Sequence, residues 1–189
     1  MNRDPQTIFS SWHQEAQSGA LLDPSIIALA TADKRGRPSV RMVLFRGFRE
    51  GGFSFFTNYE SRKGRDLSEN PFAAIVFYWS HLGKQIRIEG SIERLSPAES
   101  DSYFHQRPLE SQITAAASDQ SRPLLDEAAF IAGIHEIERA GSIERPAYWG
   151  GYKIIPNRYE FWTQGEHRRH SRFLFERDGD GWIESKLYP

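Results

Sequence analysis

Residues 72–95 constrain the fold of this chain more than any other stretch. An apolar run from Phe72 to Trp79 is followed by a turn-like segment, His81 to Lys84, and then by strict alternation from Gln85 to Leu95. Ile86, Ile88 and Ile92 fall on one face, while Gln85, Arg87, Glu89, Ser91 and Glu93 fall on the other. A period of two marks a strand with one buried and one wet face, and two such runs joined by a short turn make an antiparallel hairpin. Ile26 to Ala32, the turn Asp33-Lys34-Arg35-Gly36, and Ser39 to Arg46 predict a second hairpin. Gly51-Gly52 opens a further strand through Phe53-Ser54-Phe55-Phe56-Thr57. More strands are predicted near Tyr148–Ile155, Arg158–Thr163, Arg172–Glu176 and Trp182–Lys186. So many hairpin signals predict an α+β fold built on an antiparallel barrel with peripheral helices.

The helices are marked by their caps. Asp4-Pro5 precedes Ile8, Trp12 and Ala16 at helical spacing, and Gly19 ends that run. Ser61 to Asn70 reads as a short helix stopped by Pro71. Ser96-Pro97-Ala98-Glu99 is a capping box, so a helix runs from there to about Arg107. A longer helix is predicted over Leu124 to Ala140, before Gly141. The 189 residues show no repeat or linker, so one domain spanning 1–189 is expected. Its N-terminal helix lies within 1–20 and its C-terminal strands within about 172–189.

Composition excludes several function classes. The chain has no cysteine, which removes disulfides, thiolate nucleophiles and Cys-ligated metals, and fits a reducing compartment. Its 24 basic residues against 25 acidic ones leave a net charge of −1, too little for a general nucleic-acid binder. The Phe72–Trp79 run is too short to span a bilayer as a helix. The polar start, Met1 to Gln6, has no signal pattern, and the expected location is the cytoplasm, without membrane association.

Three clusters are candidates for chemistry. Ser61-Arg62-Lys63 sits at a helix start, where free N–H groups and the helix dipole favour an anion such as phosphate. By spacing alone it fits an ordinary Ser N-cap with two solvated charges rather better. Tyr103 and Arg107 are four apart on one helix face, with Ser111 four further on beyond Pro108. A phenol, a guanidinium and a hydroxyl suit a second phosphate, although a surface Tyr–Arg stack has the same spacing. In Trp162 to Arg172, an extended second half would put Arg168, His170 and Arg172 on one face, about 6.6 Å apart. Cations so placed repel unless an anion lies opposite; a basic edge strand is the plainer alternative. Glu166, His167 and His170 do not make a convincing metal set, and none is predicted.

Taken in order, these segments resemble the pyridoxine/pyridoxamine 5′-phosphate oxidase family. The matching stretches are Arg41-Met42-Val43-Leu44-Phe45, Phe56-Thr57-Asn58, Ser61-Arg62-Lys63, Gln85, and Tyr103-Phe104-His105-Gln106-Arg107-Pro108. They continue with Ser111-Gln112-Ile113, Gln120-Ser121, Trp149-Gly150-Gly151-Tyr152, Glu160-Phe161-Trp162 through Arg172, and Lys186-Leu187-Tyr188-Pro189. The resemblance implies an FMN-binding split barrel that oxidises pyridoxamine or pyridoxine 5′-phosphate to pyridoxal 5′-phosphate, with O2 as acceptor and hydrogen peroxide as product. It implies a homodimer with FMN at the subunit interface. Arg41, Met42, Val43, Leu44, Phe45, Arg46, Phe56, Thr57, Arg62, Lys63, Gln85, Gln120, Ser121, Trp162 and Arg172 would bind FMN. Arg46, Tyr103, Arg107, Ser111, Arg168 and His170 would bind the substrate, the last two as the catalytic pair that flanks its ring.

The chain departs from the family pattern in four places. Arg46 stands where Lys is usual, and Thr114-Ala115-Ala116 lacks a frequent Trp. Thr163, Arg169 and Ser171 replace Gln, an aliphatic residue and Asp, and the upstream Arg- and Tyr-containing arm is not seen. A related oxidase acting on another ring, of phenazine type, is the alternative, as is a non-catalytic binder of flavin, pyridoxal phosphate or haem.

Overall fold

The computed structural model describes residues 3–19 and 23–189. Residues 1, 2 and 20 of the expected N-terminal helical segment lie outside that range. The element order is α1 (Pro5–Gln17), β1 (Ile26–Ala32), β2 (Pro38–Leu44), β3 (Phe48–Arg49), β4 (Gly52–Asn58), α2 (Arg62–Glu69), β5 (Phe72–Trp79) and β6 (Lys84–Arg94). There follow α3 (Pro97–Gln106), α4 (Leu109–Ala117), α5 (Glu127–Ala140), β7 (Trp149–Thr163), β8 (Ser171–Asp178) and β9 (Gly181–Lys186).

The strands form one antiparallel sheet in the order β2-β1-β5-β6-β7-β4-β3, with β8 on β7 and β9 on β8. The sheet curls until the residues after β2 reach β4: the Arg46 amide donates to the Ser54 carbonyl at 2.7 Å, and the Ser54 amide to the Gly47 carbonyl at 2.9 Å. The core inside is aromatic. Phe9 of α1 meets Phe45, Phe53 and Phe77 edge-on, with centroids 5.6, 4.8 and 5.1 Å away. Ile27, Leu29, Ile75, Ile86 and Ile88 complete it from alternate strand positions.

Both predicted hairpins form: β5 pairs with β6 from Phe72↔Ser91 to Trp79↔Lys84, and β1 with β2 from Ile26↔Leu44 to Ala32↔Pro38. The C-terminal region differs from expectation. The strands predicted at Tyr148–Ile155 and Arg158–Thr163 are one fifteen-residue strand, β7. Pro156-Asn157 reads as a break, but a bulge opposite Glu89/Gly90 absorbs it. A Cβ at Gly90 would lie 2.0 Å from the Ile155 carbonyl oxygen, so only glycine lets the strands meet there. The strand is shared: its first half pairs with β4, its second half with β8, and β6 runs along both.

The caps are placed as expected. Asp4 caps α1 with Pro5 in the first turn, the Ser96/Glu99 capping box opens α3, and Gly141 closes α5 in the left-handed conformation. Sequence patterning does not reveal α4, because Pro108 reads as a helix breaker; it follows α3 and serves as the N-cap of the next helix. The last long helix starts at Glu127 rather than Leu124, since Asp126 caps it. No helix among the described residues is long and apolar enough to cross a membrane.

Candidate active site

A cleft of about 640 Å³ opens between β2, β4, α2, α3, α4 and the start of β7. That is within the roughly 300–1,000 Å³ typical of cofactor and substrate pockets. Among the described residues, four cations line it (Arg41, Arg46, Lys63 and Arg107) and no carboxylate does.

Lys63 is the key residue at one end. Its ammonium is buried, yet its partners are all neutral: Thr57 Oγ1 at 3.1 Å, Ser61 Oγ at 3.1 Å and Gln120 Oε1 at 2.8 Å. Burial, with the Arg41 charge adding to it, pulls its pKa down to about 8. Ser61 both caps α2 through the Gly64 amide and accepts from Lys63, so the helix cap and the cation are one construction. Arg41 donates to the Leu29 carbonyl, Thr31 Oγ1 and Ser39 Oγ, with the Asp66 carboxylate 3.7 Å away. Asp66 in turn accepts from Thr31 at 2.6 Å, so Arg41 is partly neutralised where Lys63 is not.

The other end is aromatic and cationic. Tyr103 stacks on Phe56 at 3.9 Å and lies within 5° of parallel to Trp149. Arg107 spreads over the Trp149 ring at 4.7 Å, and Arg46 stands 5.9 Å from the Tyr103 centroid. The Nη1 of Arg107 is buried without a hydrogen-bond partner. Burial lowers its pKa, Tyr103 opposes that, and Arg46 adds to it. A guanidinium stays charged under these conditions, so an unsatisfied buried donor here is a place for an acceptor. Ser111, one helix on, lines the same wall.

Sequence reasoning brought Arg41, Met42, Val43, Leu44, Arg46, Phe56, Thr57, Lys63, Gln120, Tyr103, Arg107 and Ser111 to this cleft, and all line it. Trp149 enters the sequence reading only within the Trp149-Gly150-Gly151-Tyr152 motif, although it lines the pocket. Four expectations need correction. Phe45 points into the core, against Phe9, Phe53 and Phe77, because it lies on the inward side of the strand path. Arg62 is exposed and lines no part of the cleft, since one residue along a helix turns the side chain about 100° away from Lys63; only its field reaches Arg41. Ser121 is exposed in a left-handed turn (φ 73°) outside the cleft. The proposed extended face of Arg168, His170 and Arg172 does not form: Glu166–Arg168 is a 3-10 turn, and β8 begins only at Ser171.

Gln85, Trp162 and Arg172 form a transverse row, in register across β6, β7 and β8, and none lines the cleft of its own chain. Nor do Arg168 and His170. Beside the row, buried Glu160 accepts from Arg87 at 3.0 Å and from Arg172 at 2.8 Å. Arg172 also donates to the Tyr188 carbonyl at 2.9 Å, so part of its fork is already engaged. Among the described residues no cluster of three His, Asp or Glu could hold a metal.

The pyridoxamine 5′-phosphate oxidase sequence model matches residues 14–139, and that of the pyridoxine 5′-phosphate oxidase C-terminal dimerisation region matches residues 149–189. The chain belongs to the pyridoxamine 5′-phosphate oxidase family. The pyridoxine/pyridoxamine 5′-phosphate oxidase of Gluconobacter oxydans (strain 621H) is 46% identical over 192 residues, covering 100% of this chain and 96% of that protein. That of Sphingopyxis alaskensis is 47% identical, covering 100% and 89%. Among solved structures, PhzG from Burkholderia lata 383, in complex with tetrahydrophenazine-1-carboxylic acid, superposes with a TM-score of 0.94 at 35% identity, covering 98% of this chain and 93% of that one. A pyridoxamine 5′-phosphate oxidase-related, FMN-binding protein of Nostoc punctiforme PCC 73102 has the same fold, with a TM-score of 0.80 at 20% identity and full coverage of both chains. Within the family, the dimerisation region here is the part that carries Gln85's row partners Trp162 and Arg172, together with Arg168 and His170.

Proposed function

We propose that this protein is an FMN-dependent oxidase that converts pyridoxamine or pyridoxine 5′-phosphate to pyridoxal 5′-phosphate, with O2 as acceptor and hydrogen peroxide as product. The observation that carries this reading is the acid-free cleft with two cations that lack a charge partner, the buried Lys63 and the half-buried Arg107, whose Nη1 is buried without a hydrogen bond. Two separated cationic ends fit a ligand pair with a phosphate each. The residues present therefore suit FMN and a phosphorylated substrate.

Lys63, Thr57 and Gln120 hold the FMN phosphate, with Arg41 and the field of Arg62 in support. Met42, Val43, Leu44 and Phe56 supply the wall beside the flavin. Arg107, Tyr103, Ser111 and Arg46 hold the substrate phosphate through charge-assisted bonds. FMN, when bound, supplies the two-electron chemistry and passes the electrons to O2; the chain positions the reacting carbon and excludes water.

Gln85, Trp162, Arg168, His170 and Arg172 complete the site from the second subunit of a homodimer. This reading is supported by their placement in or beside the dimerisation region, away from their own cleft. It is further supported by an apolar outer face on β2 and β1, where Val40 is 68% and Met42 61% exposed beside Ile26 and Leu44. The absence of cysteine fits a reducing, cytoplasmic setting.

Anaerobic mixing with pyridoxamine 5′-phosphate tests the proposal. The yellow absorbance of the FMN-loaded protein should bleach, and admitting oxygen should restore it with release of peroxide. Bleaching by a phenazine precursor and not by pyridoxamine 5′-phosphate would establish the second reading. That reading draws on the PhzG likeness and on a hollow of about 330 Å³ beside Arg107, lined by Thr114 and Ala115.

A further inference from the structure

His13 of α1 sits in an aromatic slot that gives its polar atoms little to do. The imidazole stacks on Phe9 at 5.5 Å, and Phe45, Phe77 and Trp79 surround it at 5.5, 6.3 and 6.0 Å. Its Nε2 is buried without a hydrogen-bond partner. A leucine would fill the same slot and leave no nitrogen unsatisfied. The slot adjoins the wall of the cleft. The Phe45 amide donates to the Ser25 carbonyl at 2.8 Å, and the flanking residues Leu44 and Arg46 both line the cleft. Among the described residues, Asp23 is the charged group whose field reaches the imidazole, and Arg46 acts on Asp23 in turn. The rings that face His13 from β5 and from the residue after β2 are aromatic hydrocarbons and an indole.

We propose that His13 is an acid-operated latch: as a neutral ring it docks α1 onto Phe45 and Trp79, and as a cation it loosens α1 together with the segment that carries Leu44 and Arg46 to the cleft. Aromatic faces attract a cation, but placing charge on a ring whose Nε2 has neither water nor an acceptor is the larger effect. Burial accordingly pulls the His13 pKa below its ordinary value, with Asp23 opposing. Below the ordinary histidine pKa of about 6.5, the undocked state therefore binds the proton more readily than the docked one, and acidification favours undocking. The latch goes beyond the proposed function, which enters only through a consequence: FMN affinity falls as the cleft wall loosens.

Amide hydrogen exchange of the full-length protein tests the latch, read as protection factors so that the intrinsic pH dependence of exchange drops out. Between about pH 7 and pH 5, protection of the α1 amides and of the Phe45 and Arg46 amides should fall about threefold or more, while amides in the middle of β6 keep theirs. His13→Leu should stay protected over the whole range. Equal loss in His13→Leu, no loss in the parent, or a loss at β6 in step with α1 would overturn the proposal. So would a His13 ring signal, identified by its absence from His13→Leu, that titrates at a different pH from the α1 transition. The FMN dissociation constant should rise on acidification about twofold or more further in the parent than in His13→Leu; equal rises would overturn the link to the cleft. Failure of the proposed function reads differently: neither protein would bind FMN at any pH, while exchange at α1, Phe45 and Arg46 would still decide the latch.

Discussion

Two clusters of buried charge in this protein are opposites. Around Glu160, a carboxylate is saturated by two guanidiniums, Arg87 and Arg172, at 2.7–3.0 Å. Around Lys63 and Arg107, a buried and a half-buried cation lie among hydroxyls, an amide and aromatic rings, with no carboxylate among the described residues lining the cleft. Burying charge is costly unless it is paired. The paired cluster is complete within the chain and ties β6, β7 and β8 together; the unpaired one has no anion among the described residues, and the proposed function supplies one as ligand. Saturation distinguishes the two clusters, although Arg172 of the paired one keeps part of its fork for the site proposed across the dimer.

Substitutions should affect the two clusters in opposite ways. Glu160→Ala should give the largest effect on folding, a loss of about 2–3 kcal/mol. That is somewhat below the roughly 3–5 kcal/mol for breaking a fully buried pair, since the Arg87 and Arg172 side chains are 44% and 28% exposed. Denaturant midpoints measure it, and an unchanged midpoint would remove the distinction drawn here. Lys63→Met should do the reverse: FMN affinity falls about a hundredfold by fluorescence titration, while the FMN-free protein is as stable as the parent or more so. A parallel loss of stability would show that Lys63 is structural.

Arg107→Ala should raise KM for the phosphorylated substrate about tenfold or more with FMN retention little changed; steady-state kinetics on the loaded enzyme separates the two. Acid–base titration sharpens the contrast. The Lys63 pKa is lowered to about 8 in the folded protein, so between there and the ordinary lysine value near 10.4 the unfolded chain binds more protons. Stability of the FMN-free protein should rise with pH across that window, and FMN affinity should fall across it as the ammonium is lost. Dissociation constants that stay flat from about pH 8 to 10 would contradict this. Arg62→Ala should give the smallest effect, about two- to threefold in FMN affinity, as expected for an exposed charge.

Much of this was legible in the sequence where a local rule had one outcome. The alternation of Gln85–Leu95 gave β6, and the Ser96/Glu99 box gave the start of α3. Helical spacing left Tyr103, Arg107 and Ser111 open between a phosphate pocket and a surface stack; they line one cleft wall even though Pro108 divides them between two helices. What failed depended on contacts distant in sequence. Pro156 remains inside β7 only because Gly90 faces it, and nothing near Pro156 reveals that. Arg62 and Lys63 are equivalent as letters; which one is buried follows from how α2 docks on β1 and β4. The shared face considered for Arg168, His170 and Arg172 requires an extended chain, whereas the closeness of Gly165 to Arg169 marks a fold-back that the letters do not reveal.

An acid-free pocket is indiscriminate towards small oxyanions. Inorganic phosphate and sulfate, at the concentrations common in buffers, should compete for the guanidinium and ammonium groups proposed to hold the two esters. Kinetic constants taken in phosphate buffer will therefore understate the enzyme's appetite for its substrate, and dialysis against such a buffer will bleed colour from the preparation.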